Sequence, residues 1–210
     1  TSTLFHLCFY HITRKRVNRN CEAEFIKGKA TAPKIPACHN LSRSQDVTLC
    51  VGYPLLSRTN NSDQSKNERW VVLSIDETSF KAQRIPMEHE TDAEQPTIEL
   101  KYEKFHRHFE PGFCVTTHAA QGMTLREKYT IHDWETMPTK LRYVSFTRAT
   151  SKDGVQIDSQ DESRFPDDWG IPQYGRRSRV AGLTFEEAAQ DASYVEFALC
   201  IAGPAKPGSV

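Results

Sequence analysis

The 210-residue chain sets 27 Lys and Arg against 27 Asp and Glu, with 38% apolar and 26% charged residues. That composition suits one large domain with an insert and a real core, and it excludes both a disordered polyelectrolyte and a strongly basic nucleic-acid coat. No stretch approaches the roughly 18 apolar residues of a membrane span, and the apolar opening precedes its basic residues, the reverse of a secretory signal; a soluble, intracellular protein with no membrane partner is expected.

The chain begins with Thr1 and runs at once into a strand-like segment, LFHLCFY at 4–10, as a piece of a longer protein would. Thr13 is then a candidate cap for a helix over RKRVNRNCEAEF, where Val17, Cys21 and Phe25 recur at helical spacing and Arg14, Lys15, Arg16 and Arg19 fall mostly outside the buried face. Pro33 and Pro36 end it. A strand followed by an amphipathic helix is the opening of an α/β layer. The six cysteines, at 8, 21, 38, 50, 114 and 200, include no Cys-x-x-Cys pair, so reduced core thiols are expected. Cys38-His39 and His106-x-His108 have no second ligand pair at zinc spacing, and no metal is assigned.

From Asp46 the texture changes. VTLCV, YPLLS, RWVVLSI, SFKAQRI and TIELKY are β-branched or aromatic runs separated by turn residues, which suggests a small barrel or meander. Trp70, flanked by valines, reads as core. The acidic stretch 87–96 lacks an apolar period and reads as a solvated loop. Pro111-Gly112 marks the return to α/β: FCVTT (113–117) is a buried strand, HAAQGMT a polar turn, and KYTIHD another strand. A helix begins at Thr136 or Thr139 and covers KLRYVSFTRA, before a last strand, GVQI (154–157). Residues 159–180 read as irregular, 182–200 have a helix-like composition, and the last residues should fray. The expected architecture is a mostly parallel sheet flanked by helices and interrupted by a β insert.

Two segments carry chemistry. Thr116-Thr117-His118-Ala119-Ala120-Gln121-Gly122-Met123-Thr124 and Tyr143-Val144-Ser145-Phe146-Thr147-Arg148-Ala149 stand in this order. They resemble the fifth and sixth signature motifs in the second motor domain of superfamily-1 helicases, most closely the RecD/Pif family. The segment LCFYHITRKRVN resembles the fourth motif, with Arg14 and Asn18 matching and His11-Ile12 in place of its Thr-Asn. The β-rich middle resembles the Src-homology-type barrel that the family carries at that place, without its usual glycine-rich hairpin.

The resemblance implies a discontinuous RecA-like domain over 1–37 and 110–158, an inserted barrel over 38–109, and an extension over 159–210. It implies that Arg148 is an arginine finger, that Arg14, Gln121, Gly122 and Arg148 face a nucleotide, and that Thr116, Thr117 and His118 hold single-stranded DNA. An always-charged guanidinium suits the charge that develops during phosphoryl transfer. Strand-end hydroxyls, an imidazole and free amides suit sugar-phosphate contacts that read no base. In this family a Thr at position 124 replaces the ribose-binding Glu of other relatives. The phosphate-binding pattern GxxxxGK[ST] occurs nowhere in the 210 residues, and no apolar strand ends in paired acids. ATP and Mg²⁺ would therefore be bound mainly by the N-terminal RecA-like domain of the same protein, and this chain alone should not hydrolyse ATP. The alternative is a catalytically inactive helicase-derived module that binds nucleic acid or protein. That module would use the barrel and the basic helix without catalysis; the plain alternative to the fourth-motif resemblance is that Arg14, Lys15, Arg16 and Arg19 form a solvated basic face or a nuclear-import-like patch.

Overall fold

The computed structural model describes residues 5–62, 64–86 and 95–158. Two sheets account for them. Strands β1 (Phe5–Cys8), β7 (Cys114–Thr116), β8 (Tyr129–Ile131) and β9 (Val155–Ile157) form a parallel sheet in the order β7-β1-β8-β9. Strands β2 (Pro54–Ser57), β3 (Arg69–Ile75), β4 (Ser79–Arg84), β5 (Thr97–Lys101) and β6 (Phe109–Pro111) form an antiparallel sheet in the order β5-β4-β3-β2-β6. The mixed α/β architecture matches the expectation; the expected 182–200 helix, the 159–180 irregular segment and residues 87–94 of the acidic loop lie outside the described residues.

Every residue of β1 is buried, as a central parallel strand covered on both faces requires. On one face helix α1 (His11–Phe25) lays Val17 over Cys8 and Cys114, with Cys21 beside them. Its Asn18 is fully buried and brackets Cys114, accepting from its N–H at 2.8 Å and donating to its carbonyl at 2.9 Å. On the other face Phe5, Leu7, Val115, Tyr129 and Ile131 pack with Trp134, Met137 and the Leu141 and Phe146 side chains of α3 (Thr139–Phe146).

The antiparallel sheet shows the two-residue alternation of a sheet with one covered face. Trp70 and Val72 of β3 and Phe80 and Ala82 of β4 point into a core shared with Tyr53, Phe105, Phe109 and Phe113. Trp70 is thus core, as its sequence context indicates. A register shift between Val72 and Ser74 accompanies the curl of the sheet. Its edges, β5 and β6, do not pair with each other among the described residues.

Several expectations are corrected. The helix starts at His11 with Tyr10 at its cap position, so Thr13 is not the cap; its hydroxyl instead donates to Asp133 at 2.7 Å. Arg14, expected outside the buried face, is 1% exposed, because it turns toward the antiparallel sheet. VTLCV is not a strand: Val47 and Cys50 make only isolated bridges, to Ile35 and Thr31. Those bridges tie 31–35 to 47–50. Helix α3 ends at Phe146, so Arg148 follows the helix instead of riding on it.

Candidate functional site at the carboxyl edge of the parallel sheet

In an open parallel sheet, ligand sites form beyond the carboxyl ends of the strands, where connections diverge. Here β1 lies between β7 and β8, with Cys8 level with Thr116 and Leu7 level with Ile131. Three segments leave this edge together: Phe9-Tyr10 into α1, the 117–128 turn after β7, and His132-Asp133 after β8.

Asp133 fixes the first of these. It sits in the left-handed region, at φ 59°, which a short polar side chain tolerates. Its carboxylate accepts from the N–H groups of Phe9 and Tyr10, both at 3.0 Å, and from the Thr13 hydroxyl. No motif pointed to this residue, whose partners lie more than a hundred positions away in the sequence.

The 117–125 turn is stapled to the last turn of α3 and to the segment that follows it. Thr117 is fully buried: its N–H bonds the Cys8 carbonyl at 2.8 Å and its hydroxyl meets the Ser145 hydroxyl at 2.9 Å. The Tyr129 hydroxyl donates to the Ser145 carbonyl at 2.5 Å. The Leu125 N–H donates to the Arg148 carbonyl at 2.7 Å, and Leu125 bridges Ala149 in parallel. The two motif-bearing segments are therefore one packed unit, and Ser145 is the joint that sequence reasoning missed.

Within that unit the candidate residues differ in access. Thr116 is buried, and its hydroxyl accepts from the Ala119 N–H at 3.3 Å, a side-chain turn that shapes the loop. His118 is exposed, its ring centroid 6.4 Å from that of Phe9. Gln121 and Gly122 are exposed at the tip. Gly122 has φ +85°, and a Cβ built on it would meet nothing within 4 Å. Its conformation thus calls for glycine while the space beside it is open.

Arg148 is half-buried and folded back on its own unit. Nε donates to the Val144 carbonyl at 3.0 Å, Nη1 to the Met123 carbonyl at 3.1 Å and Nη2 to the Thr147 hydroxyl at 3.0 Å. Each terminal nitrogen keeps a second hydrogen beyond these bonds. Arg14 is elsewhere: Nη1 pairs with Glu110 at 2.7 Å and Nη2 donates to the Arg43 carbonyl at 2.6 Å. The structure thus joins Thr116, Thr117, His118, Gln121, Gly122 and Arg148 in one unit and sets Arg14 against Glu110 of β6. Among the described residues no three His, Cys, Asp or Glu side chains gather as a metal site, and no helix is long and apolar enough to cross a membrane.

No family model and no curated protein matches the sequence. Solved structures do match its fold. Bacteroides Pif1 bound to single-stranded DNA aligns with a TM-score of 0.51 at 16% identity, over 74% of this chain and 40% of that one. The Pif1 helicase of Candida albicans aligns with a TM-score of 0.53 at 13% identity, over 77% and 46%. Bacteroides Pif1 in complex with ADP-AlF3 and single-stranded DNA aligns with a TM-score of 0.50 at 15% identity, over 74% and 40%. The chain has the fold of part of these helicases and spans less than half the length of each.

Proposed function

We propose that the chain is the C-terminal, RecA-like motor half of a Pif1-type, ATP-dependent DNA helicase, with its curled antiparallel sheet serving as the inserted Src-homology-type barrel. One observation carries the reading: Arg148 bonds the carbonyl of Met123, the residue next to Gly122 in the turn that His118 opens. A group suited to a phosphoryl oxygen and a group suited to a strand phosphate are therefore mounted on the same packed unit. The Pif1 structures similar in fold hold ADP-AlF3 and single-stranded DNA, which supports assigning nucleotide and strand as the two ligands.

In this reading ATP with Mg²⁺ is gripped mainly by the N-terminal RecA-like domain. When the lobes close, the Arg148 guanidinium turns its remaining hydrogens toward the transferring phosphoryl group and stabilises the charge that spreads over its oxygens. Gln121 and Gly122 line the same edge and admit the nucleotide closely, because no side chain stands on Gly122. His118, with the loop amides shaped by Thr116, holds the sugar-phosphate backbone of the single strand. The Thr117 hydroxyl is spent on Ser145, so Thr117 acts on the strand only by holding the loop.

In the complete protein, Arg148→Ala should lower DNA-stimulated ATP turnover about 10³-fold or more while leaving oligothymidylate binding nearly intact. His118→Ala should do the converse, weakening the oligonucleotide and its stimulation of turnover. Parallel loss of both activities in Arg148→Ala would remove the finger assignment. A specific observation favours a second reading, an inactive binding module: the Arg148 guanidinium is already engaged by three acceptors. Complete protein that binds the strand and turns over no ATP would establish that reading instead.

A further inference from the structure

Where α1 meets the antiparallel sheet, positive charge accumulates without matching acid. Arg14, 1% exposed, pairs with Glu110, yet its Nε is buried and has no hydrogen-bond acceptor. Arg58, just past β2, brings Nη1 to 4.0 Å from the same Glu110 oxygen, and that nitrogen is also buried without an acceptor. Lys15 rests its Nζ on the Ser42 carbonyl at 2.7 Å. The Arg43 side chain is exposed and has no hydrogen bond or ion pair among the described residues. Two guanidinium groups thus share the Glu110 carboxylate, with Lys15 and Arg43 on the segments next to Arg14. The imidazole of His11, at the start of the helix, feels the result: burial, together with the charges of Arg14, Arg43, Lys15 and Arg58, pushes its pKa down to about 4. The helix terminus is not itself the receptor, since Asp133 already takes the N–H groups of Phe9 and Tyr10.

Like charges held this close repel, and buried guanidinium hydrogens without acceptors carry a desolvation penalty; an anion with several oxygens relieves both. A phosphate group matches the planar fork of a guanidinium and the point charge of a lysine. We propose that Lys15, Arg43 and Arg58 form a phosphate-binding station at this junction, with Arg14 as its buried support. The phosphate chemistry is common to a nucleic-acid backbone and to a nucleotide. The station does not depend on the motor reading, because an inactive binding module would carry it equally.

The test uses the complete protein with Lys15→Gln plus Arg43→Gln, both outside the core, and separately Arg58→Gln. One arm titrates a fluorescent oligothymidylate across salt; the other titrates a fluorescent ATP analogue. In the oligonucleotide arm the double variant should bind about tenfold more weakly at low salt. Its slope of log affinity against log salt should shrink by roughly 1.4, about 0.7 for each lost cation on a single strand. Weakening in that arm alone assigns a backbone phosphate, and weakening in the nucleotide arm alone assigns a nucleotide phosphate. Unchanged binding in both arms, with melting temperatures at the wild-type value, overturns the station. If only His118→Ala weakens the oligonucleotide, the station falls and the strand assignment of the sheet edge stands; loss confined to the cation variants has the opposite meaning.

Discussion

Gly112 and Gly122 flank the same strand, and the structure separates what each contributes. A Cβ on Gly112 would lie 3.0 Å from the backbone of Pro54 and Leu55, so β2 would have to move. Gly112→Ala should therefore lower stability by about 1–3 kcal/mol, read as a drop in the urea midpoint. Gly122→Ala meets no atom and carries only backbone strain, about 1 kcal/mol. Its new methyl group would stand in the open space beside the turn, so if the proposed nucleotide contact is made there, nucleotide affinity should fall more than the midpoint does. Titratable side chains add a second expectation. Burial and neighbouring cations lower the pKa of His11, to about 4, and of His108, while burial lowers that of His106. A cationic group whose folded pKa lies below its unfolded value of about 6.5 favours the folded state fully above 6.5, and that contribution drains away as pH falls toward the folded pKa. Melting temperature should decline between pH 7 and 5, and His11→Asn should flatten the profile; an unchanged slope would deny His11 this part.

Helix α1 shows how an element can be written partly in distant sequence. Its inward face is legible in the spacing of Val17, Cys21 and Phe25, because packing period is a local property. Its start is not, because the side chain that fixes the turn before it belongs to Asp133, after β8. A hydroxyl near a helix start suggests a cap, yet Thr13 spends its proton on that carboxylate. Asp133→Ala should cost about 3 kcal/mol through two orphaned amides and one orphaned hydroxyl. Asp133→Asn, which keeps an acceptor and tolerates the left-handed backbone, should lose less. Amide exchange in the first turn of α1 would report the difference directly. The same limit explains other departures. The 47–50 run has strand composition but finds only single bridging partners, and α3 stops at Phe146 where Arg148 turns back to bond Met123. The chemistry-bearing strings around His118 and Arg148 were readable because each is contiguous. Ser145, which bonds Thr117 across the two, became visible only once the fold brought them together.

At the scale of the molecule the question is what holds the parallel and antiparallel sheets together. The chain returns from the antiparallel to the parallel sheet through Pro111 and Gly112, and among the described residues the Arg69–Glu127 and Arg14–Glu110 ion pairs span the junction. Arg69 meets Glu127 at 2.6 Å, but with side chains 29% and 40% exposed this pair is screened by water and adds little. Arg14 and Glu110 are 1% and 16% exposed, and their pair is a different case. A buried charge is tolerated only while its counter-charge is present, so removing one partner costs more than the pair itself contributes. Glu110→Gln should therefore destabilise the protein by about 3–5 kcal/mol, because it strands Arg14 beside Arg58. Replacing both partners, with Arg14→Met and Glu110→Leu, should recover much of that loss. Chemical denaturation of the single and double variants decides between two views of the junction. If Glu110→Gln is nearly neutral, Arg14 reaches water or another acceptor, and the Arg14–Glu110 pair does not hold the two sheets together.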